Sequence, residues 1–123
     1  MALSHSPKIV TDGLVLCLDA GDGKSYSGSG TTWYDRSGNG NNGILVNGPT
    51  FDSNNRGAIV FDGVNDHVSI PNSSSLQLSN NQSFTISYFV NLNRIDGAFM
   101  APVMKNWFGT SYGHLMGTDM NIF

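Results

Sequence analysis

Short apolar alternations, each closed off by glycine, asparagine, serine or proline, recur along this chain roughly every ten to fifteen residues. A period of two suits a strand with one buried face, and the punctuating residues supply the turns between strands. Gly13–Asp19 predicts a first strand, with Leu14, Leu16 and Leu18 on one face and Val15 and Cys17 on the other. Gly43–Asn47 predicts a second, stopped by Gly48-Pro49. Ala58–Asp62 and His67–Pro71 flank Gly63–Asn65 in the shape of a hairpin or tight corner. Ser83–Leu92 carries the clearest alternation, with Phe84, Ile86, Tyr88 and Val90 opposite Thr85, Ser87, Phe89 and Asn91. Phe99–Trp107 and Tyr112–Gly117 are weaker strand candidates. No window has helical periodicity. The fold class expected is all-β, an antiparallel β-sandwich.

Composition reinforces this. The nine acidic residues are all aspartate, glutamate is absent, and 15 glycines accompany many serines and asparagines. Such a mixture disfavours helix and favours turns. At 123 residues the chain makes at most one domain. We divide it into an N-terminal arm, 1–12, and a β domain, 13–123. Its net charge is -3, and only 12% of its residues are charged, which provides no electrostatic footprint for nucleic acid or an anionic membrane. The single Cys17 excludes an internal disulfide and suits a buried thiol. The first twelve residues lack the basic start and apolar stretch of a signal peptide, and no segment reaches membrane-spanning length. An extracellular role would then need another route, such as assembly into a particle released by lysis. Asn72-Ser73-Ser74 and Asn81-Gln82-Ser83 match glycosylation acceptors, and both are expected to be chance.

Four constellations could carry chemistry. Gly23-Lys24-Ser25 is the tail of a phosphate-binding loop, but the position of its first glycine is Leu18 and Tyr26–Thr32 is not helix-forming. Without a helix N-terminus there is no row of free amides for phosphate, so these glycines are expected to shape a corner. Asp35–Gly40 matches the first half of a calcium loop, making Asp35 and Asn39 candidate calcium ligands. The twelfth position is Val46, where a helix-loop-helix hand needs glutamate, so only a weaker site remains. The competing expectation is that Asp35 accepts amides from Ser37 or Gly38 and fixes a long turn. Asp62 and Asp66 could act as a carboxylate pair on a glycoside, although aspartates at a corner are ordinary turn chemistry. Candidate ligand-binding residues are the aromatics Trp33, Tyr34, Trp107 and Tyr112, with Asn39 and Asn41 beside the first pair. Aromatics at strand ends serve more often as core plugs than as sugar platforms. His5, His67 and His114 lack metal-ligand spacing.

The landmarks Trp33, Asp35, Ser37, Gly38, Gly40, Asn41 and Gly43, followed by Phe61, Asp62, Gly63 and Asp66, form a recognisable series. With the flanking "GLVLCLDAGD" and "QSFTISYFVN" they resemble the laminin-G-like branch of the concanavalin A-like jelly rolls. The likeness is greatest to versions carried by virion proteins of tailed bacteriophages, and it covers about residues 9 to 117. This resemblance implies a non-catalytic structural or decoration module on a virion capsid, neck or tail, held by contacts with other virion proteins in an oligomeric assembly. The alternative it leaves is a glycan-binding adhesin-type module for host surface attachment, which calcium could assist. No other cofactor, nucleic acid or membrane is implied.

The chain departs from the family's pattern in three ways. Glucanases of this architecture use paired glutamates, which this chain lacks, so it is expected not to be an enzyme. Only the first of the metal-binding loops of the pentraxin relatives has a counterpart, around Lys105–Ser111. Finally, the chain carries about half of a jelly roll's strands, which leaves open edges. Those edges would be met by the remainder of a longer polypeptide or by a partner. Depolymerisation of a polysaccharide through Asp62 and Asp66 is a third function class, for which no activity is expected.

Overall fold

The computed structural model describes residues 9–78, 81–92, 103–105 and 120–122. Their regular elements are strands and two short 3-10 turns, with no α-helix among the described residues. The strands are β1 (Thr32–Trp33), β2 (Gly43–Val46), β3 (Thr50–Asp52), β4 (Ala58–Val60), β5 (His67–Ile70), β6 (Val103–Lys105) and β7 (Met120–Ile122). The 3-10 turns are Asn54–Arg56 and Ser74–Leu76. Among the described residues no helix is long and apolar enough to cross a membrane.

Five strands form an antiparallel sheet in the order β1-β2-β5-β7-β6, and β3-β4 form a separate antiparallel pair. The register in the larger sheet sets Trp33 opposite Gly43, Leu45 opposite Val68, and Val68 opposite Ile122. Because side chains alternate, this puts Trp33, Leu45, Val68 and Ile70 on one face and Thr32, Ile44 and Ser69 on the other. The first set is buried, whereas Ile44 is exposed. Val68 and Ile70 are completely enclosed, each contributing about 2 kcal/mol by burial.

Tyr26 and Leu76 complete the core, and Leu16, Leu18, Phe51, Ile59 and Phe61 pack around it. Tyr26 meets the Phe51 ring at 5.4 Å between centroids, and its hydroxyl donates to the Gly30 carbonyl at 2.8 Å. The β3-β4 pair therefore joins the core through Phe51 and Ile59. Two glycines permit close approaches here. A Cβ on Gly43 would stand 2.6 Å from Val68 Cγ1, and one on Gly21 would stand 2.5 Å from the Arg56 carbonyl oxygen.

The expected second strand forms as Gly43–Val46. Ala58–Val60 and His67–Ile70 also form, but they belong to different sheets, so Gly63–Asn65 turns a corner between sheets and is not a hairpin. Val103–Lys105 falls within the weaker candidate Phe99–Trp107, while Tyr112–Gly117 lies outside the described residues.

Two expected strands need correction. Gly13–Asp19 is in no ladder; side chains from a neighbouring loop hold its backbone groups instead. Ser83–Leu92 is also outside any ladder, and its apolar residues are exposed on both alternating faces, Phe89 fully. Alternation specifies which side chains share a face, but supplies no neighbouring backbone. No described strand pairs with this segment.

Candidate functional site

The loop from Tyr34 to Asn42, between β1 and β2, gathers most of the candidate residues. The Asp35 carboxylate is its hub. Oδ1 accepts the amides of Cys17 and Ser37, both at 2.9 Å. Oδ2 accepts the Asn41 amide at 3.0 Å and lies 2.6 Å from the Ser37 hydroxyl. Partial burial of Asp35 pushes its pKa up, but the Ser37 hydroxyl and the amides of Ser37, Cys17 and Asn41 together outweigh this and hold it below the ordinary carboxylate value. Four donors occupy the four lone-pair directions of the carboxylate. A cation at Asp35 would have to displace the hydrogen bonds that shape its own loop.

Asn39, the other candidate metal ligand, turns its side-chain nitrogen inward, donating to the Leu14 carbonyl and to Ser37 Oγ at 3.1 Å each. Among the described residues, no group of three or more His, Cys, Asp or Glu is placed to hold a metal ion. The expectation that Ser37 would give its amide to Asp35 is met, and the same carboxylate also reaches Cys17, far back in the chain.

Asn41 is 4% exposed and joins three segments. Its Nδ2 donates to the Val15 carbonyl at 2.7 Å and to Ser75 Oγ at 2.8 Å, and its Oδ1 accepts from the Ser73 hydroxyl at 2.6 Å. With its amide on Asp35, every polar group of this buried side chain and its N–H is engaged, as burial requires. Asn41 therefore ties the segment at Val15, the loop and the 3-10 turn at Ser74–Leu76 into one unit. The sequence singled it out as a ligand contact. Its structural role was signalled only by Ser73 and Ser75, in a stretch that reads as a plain polar connector.

The aromatics divide. Trp33 is a core plug facing Gly43, and its buried Nε1 has no hydrogen-bond partner among the described residues. Tyr34 is about half exposed, with its backbone amide on the Ser25 carbonyl at 2.7 Å. Trp107 and Tyr112 lie outside the described residues, as do His5 and His114. Ser25 is wholly buried and was missed by sequence reasoning. Its hydroxyl accepts the Asp19 amide at 3.1 Å and donates to the Tyr34 carbonyl at 2.7 Å, bridging two chain segments.

Residues Ala20–Ser25 form successive turns and not a helix start. The amides of Gly21 and Lys24 bond to the Asp19 and Asp22 carboxylates, and those of Ser25 and Tyr26 to the Asp22 carbonyl. Their donors are consumed locally, leaving no cradle for phosphate. The Arg36 guanidinium adds a contact to Asp22 Oδ2 at 3.1 Å.

Asp62 and Asp66 cap each other across the corner. Asp66 Oδ2 accepts the Asp62 amide at 3.1 Å, while Asp62 Oδ1 accepts the amides of Val64, Asn65 and Asp66. The Val64 amide is the largest influence on Asp62 and lowers its pKa; slight desolvation opposes it, and the Asn65 and Asp66 amides help. A glycosidic acid needs the opposite shift. The geometry is that of a turn closed by its own carboxylates.

On the outer face of the larger sheet, Thr32, Gly40, Asn41, Asn42, Ile44 and the stretch Pro71–Ser73 line an open groove of about 420 Å³. It carries no charged side chain. A scan against protein-family models, a search of curated proteins and a search of solved structures each find no match to this chain. The laminin-G-like reading therefore rests on its sequence landmarks.

Proposed function

We propose that this chain is a non-catalytic structural or decoration module of a bacteriophage virion, part of the capsid, neck or tail, and that it works through protein contacts. On this reading its antiparallel sheets belong to a concanavalin A-like jelly roll. One observation carries the proposal: Phe84, Ile86, Tyr88, Phe89, Val90 and Leu92 are all exposed within one short segment. Isolated exposed apolar residues are ordinary, but a contiguous run of this kind marks a contact surface. The partner is another virion protein or the remainder of the module's own chain. The acidic groups that could have suggested chemistry are occupied in closing turns, which supports a passive role. Mass spectrometry of purified virions tests the proposal: the chain is expected among the particle proteins, and its absence from the particle would end the idea.

A second reading is favoured by the uncharged groove beside Asn41. The Thr32 hydroxyl and the Asn42 side-chain NH2, beside apolar Ile44 and Pro71, suit a neutral glycan, and Tyr34 offers an exposed ring on the same loop. In that case the module is an adhesin for host surface sugars. A glycan array with and without calcium separates the readings, because binding confined to particular sugars would favour the adhesin.

A further inference from the structure

The chain holds three Asn-Gly pairs, at Asn39-Gly40, Asn42-Gly43 and Asn47-Gly48. We propose that Asn39 is a site of spontaneous deamidation, and that the fold protects the other two. The reaction needs the backbone nitrogen of the following residue to reach the asparagine Cγ, and glycine, lacking a side chain, obstructs that approach least. After losing its proton to hydroxide, this nitrogen attacks Cγ. A new N–Cγ bond forms, the Cγ–Nδ2 bond breaks and Nδ2 leaves as ammonia. Water then opens the cyclic imide at either carbonyl, giving aspartate or isoaspartate.

The three pairs differ in ways that decide the rate. Gly43 is buried in β2, paired with Trp33, and lies so close to Val68 Cγ1 that not even a methyl group fits. The Asn42 side chain is also anchored, since Oδ1 accepts the Asp35 amide at 2.9 Å. Ring closure there would break the ladder. Asn47 is exposed, but its φ of 68 places it in the left-handed region. A left-handed residue, with ψ near about +47°, carries the next amide nitrogen to the side away from Cβ. Its Nδ2 is in addition tied to the Asn65 carbonyl at 2.8 Å. Closure at Asn47 requires leaving that backbone well.

Asn39 has neither protection. Both Asn39 and Gly40 are exposed, and Asn39 is outside every ladder and not left-handed. The Gly40 amide has no hydrogen-bond partner among the described residues, and a Cβ on Gly40 would meet nothing within 4 Å. What restrains Asn39 is its pair of Nδ2 bonds to the Leu14 carbonyl and Ser37 Oγ, with its own amide on Ser37 Oγ at 3.2 Å, all three on the solvent-exposed side of the loop. Conversion replaces a donor facing the Leu14 carbonyl with a carboxylate, and adds negative charge beside Asp35. The modified chain is expected to hold its first segment more loosely.

Incubating the whole folded chain in mildly alkaline buffer and mapping its peptides by mass spectrometry tests this. Asn39 is expected to exchange amide for carboxylate several-fold faster than Asn42 and Asn47. In urea, where the fold no longer distinguishes them, the three rates should converge. Asn39→Gln should remove the leading conversion and leave the two slow ones unchanged. Equal rates in the folded chain, or Asn42 or Asn47 converting first, would overturn the proposal.

Discussion

The Asp35 carboxylate accepts the backbone amide of Cys17 at 2.9 Å, and so fastens a segment that has no strand partner. The return bond runs from the Arg36 amide to the Cys17 carbonyl at 2.8 Å. A side chain thus substitutes for half of a strand pairing. Replacing it should loosen the first segment at Cys17, leaving the bonds at Leu14 and Val15 to hold the rest. Asp35→Ala is expected to cost about 2 to 3 kcal/mol, because several buried donors lose a charged acceptor. Urea unfolding of the two chains measures this, and a loss too small to resolve would mean that the segment is held without Asp35, by its leucines and the bonds from Ser37, Asn39 and Asn41.

Acid should weaken the fold through the same group. The folded Asp35 has its pKa held below the ordinary value of 3.8, as does Asp62. Their contribution is fully present above the unfolded-state value and is lost as pH falls through the lower, folded-state one. Thermal midpoints should therefore be insensitive to these groups near neutrality and drop below about pH 4. In Asp35→Asn that acid-dependent drop should be shallower than in the parent chain. Parallel curves for the two proteins would remove Asp35 from the explanation.

The glycines of the first loop are not equivalent. Gly21→Ala would drive a methyl group against the Arg56 carbonyl and should destabilise by about 1 to 3 kcal/mol. Gly23 meets nothing within 4 Å and has no positive φ, so Gly23→Ala should be neutral or stabilise by up to about 1 kcal/mol. A phosphate-binding loop would show sensitivity at Gly23 as well. Differential scanning fluorimetry on the pair distinguishes the cases.

Asn41 should behave as a core residue. Asn41→Ala removes one bond each from the Val15 carbonyl and the Ser73 and Ser75 hydroxyls, leaving the first only Ser37 and the two serines only each other, at a cost of about 1 to 2 kcal/mol. If the residue mattered only as a ligand contact, its loss would change binding and leave the unfolding midpoint where it was.

The exposed apolar run permits a separation of stability from assembly. The double change Ile86→Ser, Phe89→Ser should shift unfolding by no more than about 0.5 kcal/mol, as for other exposed positions. On the proposed virion role, incorporation into particles, followed by quantitative peptide counting, should fall sharply. Normal incorporation would place the protein contacts elsewhere.

The sequence's alternation and turn residues sufficed to anticipate an all-β chain and the strands at Gly43, Ala58 and His67. They failed where the partner of a strand mattered. Gly13–Asp19 and Ser83–Leu92 alternate as well as any real strand here, yet the first is held by side chains of Asp35, Asn39 and Asn41 and the second by no ladder. Periodicity reports which side chains share a face and is silent about who covers that face or supplies the neighbouring backbone. Thr32–Trp33, Thr50–Asp52 and Met120–Ile122 went unnoticed because two or three residues are too few to show a period. In the loop, the capping of Asp35 by Ser37 could be read from their spacing. The reach of Asn41 to Ser73 and Ser75 could not, since it depends on how distant segments meet.

The place of β7 between β5 and β6 sets an order of events during synthesis. Val68 and Ser69 pair on one side with β2, which has already emerged from the ribosome, while Val68 and Ile70 pair on the other with Ile122 and Met120, which emerge far later. For that interval the chain presents a raw sheet margin formed by two of its most apolar residues. A nascent chain stalled in this window is open to mispairing with its neighbours.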